Sequence, residues 1–273
     1  MFKVIKRRLG ISDIVSTIIL VSALLIISIV IMFVAHNIFA YQSQNVEFEQ
    51  AKDVYMNLAE IIEEVSGKQG ASGYVRINTV SGGPYFETNV DNIINITVYS
   101  ETDTQTIYSS SYNILKYRAG SLVGVSGRED LRGTDSLIVV NNEYPLGNVY
   151  TIESNGAWVV INYSRIGILN LGIFNFTKGL NESYEPVFDT LNVVEVHYIE
   201  LVPGSFTGSG SLYIVATCKN ITVEYYRINT TGTLTFIVEN STGSENYILT
   251  LDENYDTLVI FVKSIVEINI FGG

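Results

Sequence analysis

The residues able to do chemistry are few, and their spacing suits little of it. Two histidines, His36 and His197, and one cysteine, Cys218, are spread over 273 residues. A single cysteine excludes an intrachain disulfide and any multi-cysteine zinc or iron–sulfur centre. No cluster of His, Cys and Asp has metal-ligand spacing, no Gly-x-Ser-x-Gly elbow occurs, and no glycine-rich loop opens a helix after a strand. His36 lies in or beside an apolar run, where a packed or interfacial histidine is the simpler reading than a proton relay. His197 alternates with apolar neighbours, as a strand histidine does; a role as base requires a cleft that gathers it with carboxylates. The acids of Asp252-Glu253-Asn254-Tyr255-Asp256 read as a solvated turn rather than a Ca2+ loop. Cys218 sits in the apolar run Ser211–Cys218 and reads as a small buried hydrophobe. We expect no enzyme, no catalytic residue, no metal site and no cofactor.

Seven Asn-x-Ser/Thr sequons are the other chemical feature: Asn95, Asn162, Asn175, Asn181, Asn220, Asn229 and Asn240. Each is a candidate N-glycosylation acceptor, a modification of surface loops in exported proteins. Asn229 and Asn240 fall in expected turns and are the best candidates. Asn95 and Asn220 fall at or within expected strands.

The element that must position all of this is the stretch Ile11–Ser66, free of Gly and Pro and flanked by Gly10 and Gly67. Its first part, Ile14–Ala35, has no formal charge and is dominated by Ile, Leu and Val. A bilayer core of ~30 Å needs roughly 20 such residues in a helix. Its second part carries Phe48, Ala51, Tyr55, Leu58, Ile62 and Val65 at spacings of three and four, one apolar stripe on a charged helix. The expectation is one long helix with a membrane-spanning lower half (11–40) and an amphipathic extension (41–66).

Charge sets the orientation. The first ten residues, a basic leader, hold Lys3, Lys6, Arg7 and Arg8 and no acid; taking that +4 from the chain's −12 leaves −16 for the rest. The positive-inside bias places the N-terminus in the cytoplasm and everything after about residue 40 outside. Membrane lipid is thus an expected partner. Nucleic acid is not, because a polyanion of this size is a poor partner for it and also repels anionic headgroups.

Lys6-Arg7-Arg8-Leu9-Gly10 followed by Ile11-Ser12-Asp13-Ile14-Val15 resembles the start of archaeal type IV pilins and archaellins, over roughly residues 6–40. The resemblance implies a class III leader removed by a prepilin-type peptidase after Gly10, with Ile11 as the new N-terminus and the apolar helix retained. It also implies like subunits as partners through that helix. Leu9 stands where such leaders usually carry Lys or Arg, and Asp13 where many carry Pro. Two readings of Asp13 stand side by side. It lies at the interface in the first helical turn, favoured by the helix dipole. Alternatively it pairs with the freed amine of Ile11 on a neighbouring subunit and sets axial register.

Beyond Ser66 the composition changes. All four Pro and 21 of the 22 Gly follow it, among runs rich in Val, Ile, Tyr and Thr bounded by turn residues. Fourteen strands are expected: 74–79, 93–100, 105–117, 121–125, 136–140, 149–153, 157–163, 166–176, 191–201, 211–218, 221–228, 233–239, 246–251 and a bent 257–271. The fold class is therefore α+β: one long N-terminal helix followed by a large antiparallel all-β domain at 67–273, sandwich-like. A break near Gly179–Phe188 is a candidate boundary between two lobes, and Pro203–Gly210 reads as an exposed loop. Two functions are compatible with this layout. One is a pilin-like or adhesive surface subunit; the other is a singly anchored ectodomain that binds envelope, sugar or a partner.

Overall fold

The computed structural model describes residues 10–180, 184, 186–230 and 232–272, with side chains from Ile14 onward and that of Leu180 excepted. The leader residues Met1–Leu9 and the sequon Asn181 lie outside the described residues.

Helix α1 runs unbroken from Gly10 to Ser66. At 1.5 Å per residue it is roughly 85 Å long. Its two halves meet different surroundings. From Ile14 to Phe39 the large apolar side chains stand bare, with Leu25 60 % and Phe39 68 % exposed. From Phe48 upward the stripe Phe48, Ala51, Tyr55, Leu58, Ile62 and Val65 is buried, with Ala59 joining it. Burying side chains of this size contributes about 1.5–3 kcal/mol each for the larger ones, which is why the upper half is held and the lower half is not.

Thirteen strands follow among the described residues: β1 (Ser72–Asn78), β2 (Gly83–Tyr99), β3 (Thr104–Arg118), β4 (Glu129–Arg132), β5 (Ile138–Val140), β6 (Asn148–Glu153), β7 (Ala157–Asn162), β8 (Ile166–Leu180), β9 (Pro186–Phe206), β10 (Ser211–Ile228), β11 (Thr233–Asn240), β12 (Gly243–Thr250) and β13 (Thr257–Gly272). They form a six-stranded sheet, β1-β10-β13-β9-β8-β5, and a seven-stranded sheet, β12-β11-β2-β3-β7-β6-β4. The domain is mostly antiparallel, with two parallel pairs. The C-terminal strand β13 inserts between β9 and β10, so that it runs antiparallel to β10 and parallel to β9. The short β5 pairs parallel with β8.

Several boundaries differ from the sequence reading. The expected strand at 121–125 is a loop, and β4 takes its place further on. The runs 211–218 and 221–228 are one strand, because a bulge at Lys219 absorbs the polar interruption without ending the pairing to β13. Pro203–Phe206 belongs to β9 rather than to an exposed loop. On either side of the break near 179–188, β8 and β9 pair in one sheet, Thr177 with Phe188 and Gly179 with Val187.

Two hydrophobic cores are present, and they divide the strands along their length. The first surrounds the helix stripe with Leu115, Tyr117, Val159, Ile161, Leu201, Ile214 and Ile268. The second lies beyond the helix end and contains Ile96, Ile114, Val196, Tyr198, Phe236 and Phe261. Strand β9 gives Val194, Val196 and Tyr198 to the second core, then Ile199 and Leu201 to the first. Successive strand side chains point to opposite faces, so this change of parity moves the buried face from one side of β9 to the other. Strands β3 and β13 switch in the same way, at Ile114/Leu115 and between Phe261 and Val266.

Candidate functional site

Two places expose chemistry: the bare helix with the collar where it meets the head, and a cleft at the helix's upper end. The bare part is long and apolar enough to cross a membrane by length and composition, and none of its most apolar window is buried. Gly10, Ile11 and Asp13 fall in the first turns of α1, where only the backbone is described.

At the collar the helix stops being bare at Glu47, which stands one turn below Ala51 and in phase with the stripe. An acid at that position is a polar group aimed at the core, and the loop between β1 and β2 satisfies it. The carboxylate accepts hydrogen bonds from the backbone N–H groups of Val80, Ser81 and Gly82, from the Ser81 hydroxyl at 2.7 Å and from the Tyr117 hydroxyl at 2.6 Å. Burial alone pushes its pKa up, but these donors outweigh burial and lower it to about 2. Three consecutive loop N–H donors thus find one acceptor. Next to it, the Gln44 side-chain oxygen accepts the Leu122 N–H at 2.8 Å. The close approach depends on two glycines. A Cβ on Gly82 would collide with the Arg118 carbonyl and the Tyr117 hydroxyl, and one on Gly120 with the Gln44 and Ser81 side chains.

Higher up, Tyr55 donates to the Lys116 carbonyl and Tyr163 to the Ala59 carbonyl, both at 2.8 Å. Glu63 accepts both arms of the Arg132 guanidinium at 2.7 and 2.9 Å and the Gly147 N–H at 2.6 Å. The Arg132 pKa is raised; burial opposes this, and the hydrogen bond and charge of Glu63 prevail. The helix ends where Ser264 donates to the Ser66 carbonyl and the buried Cys218 packs beside it. The upper helix is therefore fastened to both sheets at both ends of the first core.

The cleft opens beside that helix end and has a volume of about 680 Å3. Its lining includes Glu63, Glu143, Tyr144, Gly167, Glu195 and His197. Gly167, His197 and Val262 are neighbours across β8, β9 and β13. His197 Nε2 lies 2.6 Å from a Glu195 carboxylate oxygen. The cleft that a base role for His197 requires thus exists. Its two serines, Ser66 and Ser264, both donate to backbone carbonyls. Among the described residues no group of His, Cys, Asp and Glu is arranged to hold a metal ion.

The sequons are scattered. Asn175, Asn220 and Asn229 are exposed, Asn220 because it follows the β10 bulge. Asn95, in the middle of a sheet, is half-buried and accepts the Ser109 hydroxyl at 2.6 Å. Asn162 and Asn240 are half-buried and line a narrow recess shared with Arg165. The Asn240 side-chain nitrogen donates to the carbonyl and hydroxyl of Ser164. In the 252–256 turn, Asp256 is taken by Arg227 and Asp252 by Asn254.

Sequence reasoning missed the Glu47 collar and the Glu63–Arg132 clamp. The signal for Glu47 was its phase: it occupies the stripe, where the pattern asks for an apolar side chain. Arg132 carried none, since its strand is four residues long. No protein-family model, no curated protein and no solved structure matches the chain.

Proposed function

We propose that this chain is a structural or adhesive cell-surface protein of pilin-like type. Its N-terminal helix anchors in the membrane with the N-terminus cytoplasmic, and the β-domain projects outside. The same helix bundles with like subunits into a filament core once the leader has been removed between Gly10 and Ile11 by a prepilin-type peptidase. The observation that carries this reading is the continuity of α1: a bare apolar half and a clasped half form one uninterrupted rod. Pull on the head is transmitted to the anchor without a hinge. The contrast between a +4 leader and a −16 remainder supports the orientation.

Mass spectrometry of the native protein tests it. The expected result is an N-terminal Ile11, with protein recovered from the membrane or in filaments. An intact Met1 on the surface-exposed protein would remove the pilin-like reading and leave the plain anchor.

The second reading, an anchored ectodomain that captures a ligand without forming filaments, is favoured by the His197–Glu195 cleft. It predicts protein that stays monomeric in the membrane and loses ligand capture when His197 and Glu195 are replaced together.

A further inference from the structure

A recess of about 900 Å3 lies at the end of the head nearest the bare helix. Gln44, Ser81–Tyr85, Arg118, Ser121, Asn155 and Trp158 line it. Arg118 is the single charged residue among its lining and forms no ion pair among the described residues, in a chain whose charge beyond the leader is −16. Its guanidinium lies over the Trp158 ring at 5.6 Å, and Tyr85 meets the same ring edge-on at 6.1 Å. The two loops that flank the recess carry bare apolar tips, Val80 at 85 % and Leu122 at 47 % exposure, and both are bonded by their N–H groups to the helix at Glu47 and Gln44.

The helix fixes where this surface stands. From Ile14 to Tyr41 the rise is roughly 40 Å at 1.5 Å per residue, the thickness of a bilayer with its headgroups, about 40–45 Å. Gln44 is three residues further, roughly 4–5 Å above Tyr41. A free arginine fork, a Trp–Tyr pair and apolar loop tips at that height have the chemistry of a headgroup contact. Guanidinium pairs with phosphate through two parallel N–H···O bonds, and Trp and Tyr prefer the membrane–water boundary.

We propose that this face of the head is a seat on the outer leaflet, in which Arg118 and the Trp158–Tyr85 pair take the phosphate of a phospholipid headgroup while Val80 and Leu122 dip into the interface. The seat rests on the reading of α1 as a membrane span. It holds the head against the bilayer before any assembly and adds a second contact to the single helix.

Trp158 is the chain's one tryptophan, so its fluorescence reports this site alone. The full chain is reconstituted into vesicles of phosphatidylglycerol, or of a glycolipid without phosphate, with nitroxide quenchers on the headgroup or at mid-chain. Flotation of the vesicles is scored separately. Strong quenching by the headgroup label, weak quenching by the mid-chain label, and a seated fraction falling about fivefold with Arg118→Gln or in the glycolipid are expected. Protein that floats with its Trp158 unquenched would overturn the seat and leave the span standing. Protein that does not float would overturn both. Equal quenching in both lipids and in Arg118→Gln would overturn phosphate recognition. An emission change with inorganic phosphate in detergent, without headgroup quenching in vesicles, would assign the recess to a free anion and overturn the lipid seat.

Discussion

The Glu47 carboxylate accepts the Tyr117 hydroxyl proton at 2.6 Å, a bond that ties the helix to the end of a strand 70 residues away. Around that pair the β1–β2 loop folds its three consecutive N–H groups onto the same acid. The donors around it favour the ionised carboxylate, and this makes the joint between the bare helix and the head sensitive to acid.

The folded-state pKa of Glu47 is about 2 against an ordinary value of 4.5. A lowered carboxylate contributes fully above the unfolded value and is lost as pH falls from about 4.5 towards 2. The gap corresponds to about 3 kcal/mol. Glu47→Gln is expected to lower stability by about 2–3 kcal/mol at pH 7 and to flatten the acid limb. Denaturant midpoints of both proteins in detergent between pH 2 and 7 check this, and parallel acid limbs would contradict it.

Arg132 grips Glu63 with both arms of its fork. Arg132→Ala is expected to cost about 2 kcal/mol, since it leaves a half-buried carboxylate with one N–H partner. Arg132→Lys is expected to restore less than half, because an ammonium cannot make two parallel bonds. Chemical unfolding of the pair of variants measures the difference.

Leu25 and Leu58 lie on one helix in opposite settings, 60 % and 0 % exposed. Leu58→Ala is expected to destabilise the head by about 2–5 kcal/mol, while Leu25→Ala leaves its melting unchanged in detergent. Near-ultraviolet circular dichroism of the head's tyrosines follows the transition.

Cys218 is fully buried beside the helix end. A thiol reagent is expected to leave it unmodified in the folded protein and to label it at the rate of head unfolding. Prompt labelling under native conditions would mean that the upper helix opens away from β10.

Where the native protein carries glycans, the exposed Asn175, Asn220 and Asn229 are the expected acceptors and Asn240 is not, because its amide nitrogen is bonded to Ser164. Peptide mapping of the glycoprotein, with Asn229→Gln as a control for mass loss, decides between them.

Local pattern alone determined a good deal here. The absence of Gly and Pro between Ile11 and Ser66, the uncharged run and the stripe from Phe48 to Val65 were sufficient for an unbroken helix and for which face of its upper half is buried. Those signals repeat every three or four residues, within one element. Alternation marked most strands for the same reason. Tertiary structure alone decided what joins distant parts. Strand β13 inserts between β9 and β10, the buried parity of β9 reverses at Tyr198, and the Glu47 collar, the Arg132 clamp and the Arg118 recess assemble from residues dozens of positions apart. Periodicity reports which side of an element is apolar. It carries no information on which other element covers that side, because pairing partners are chosen by the packing of the whole domain.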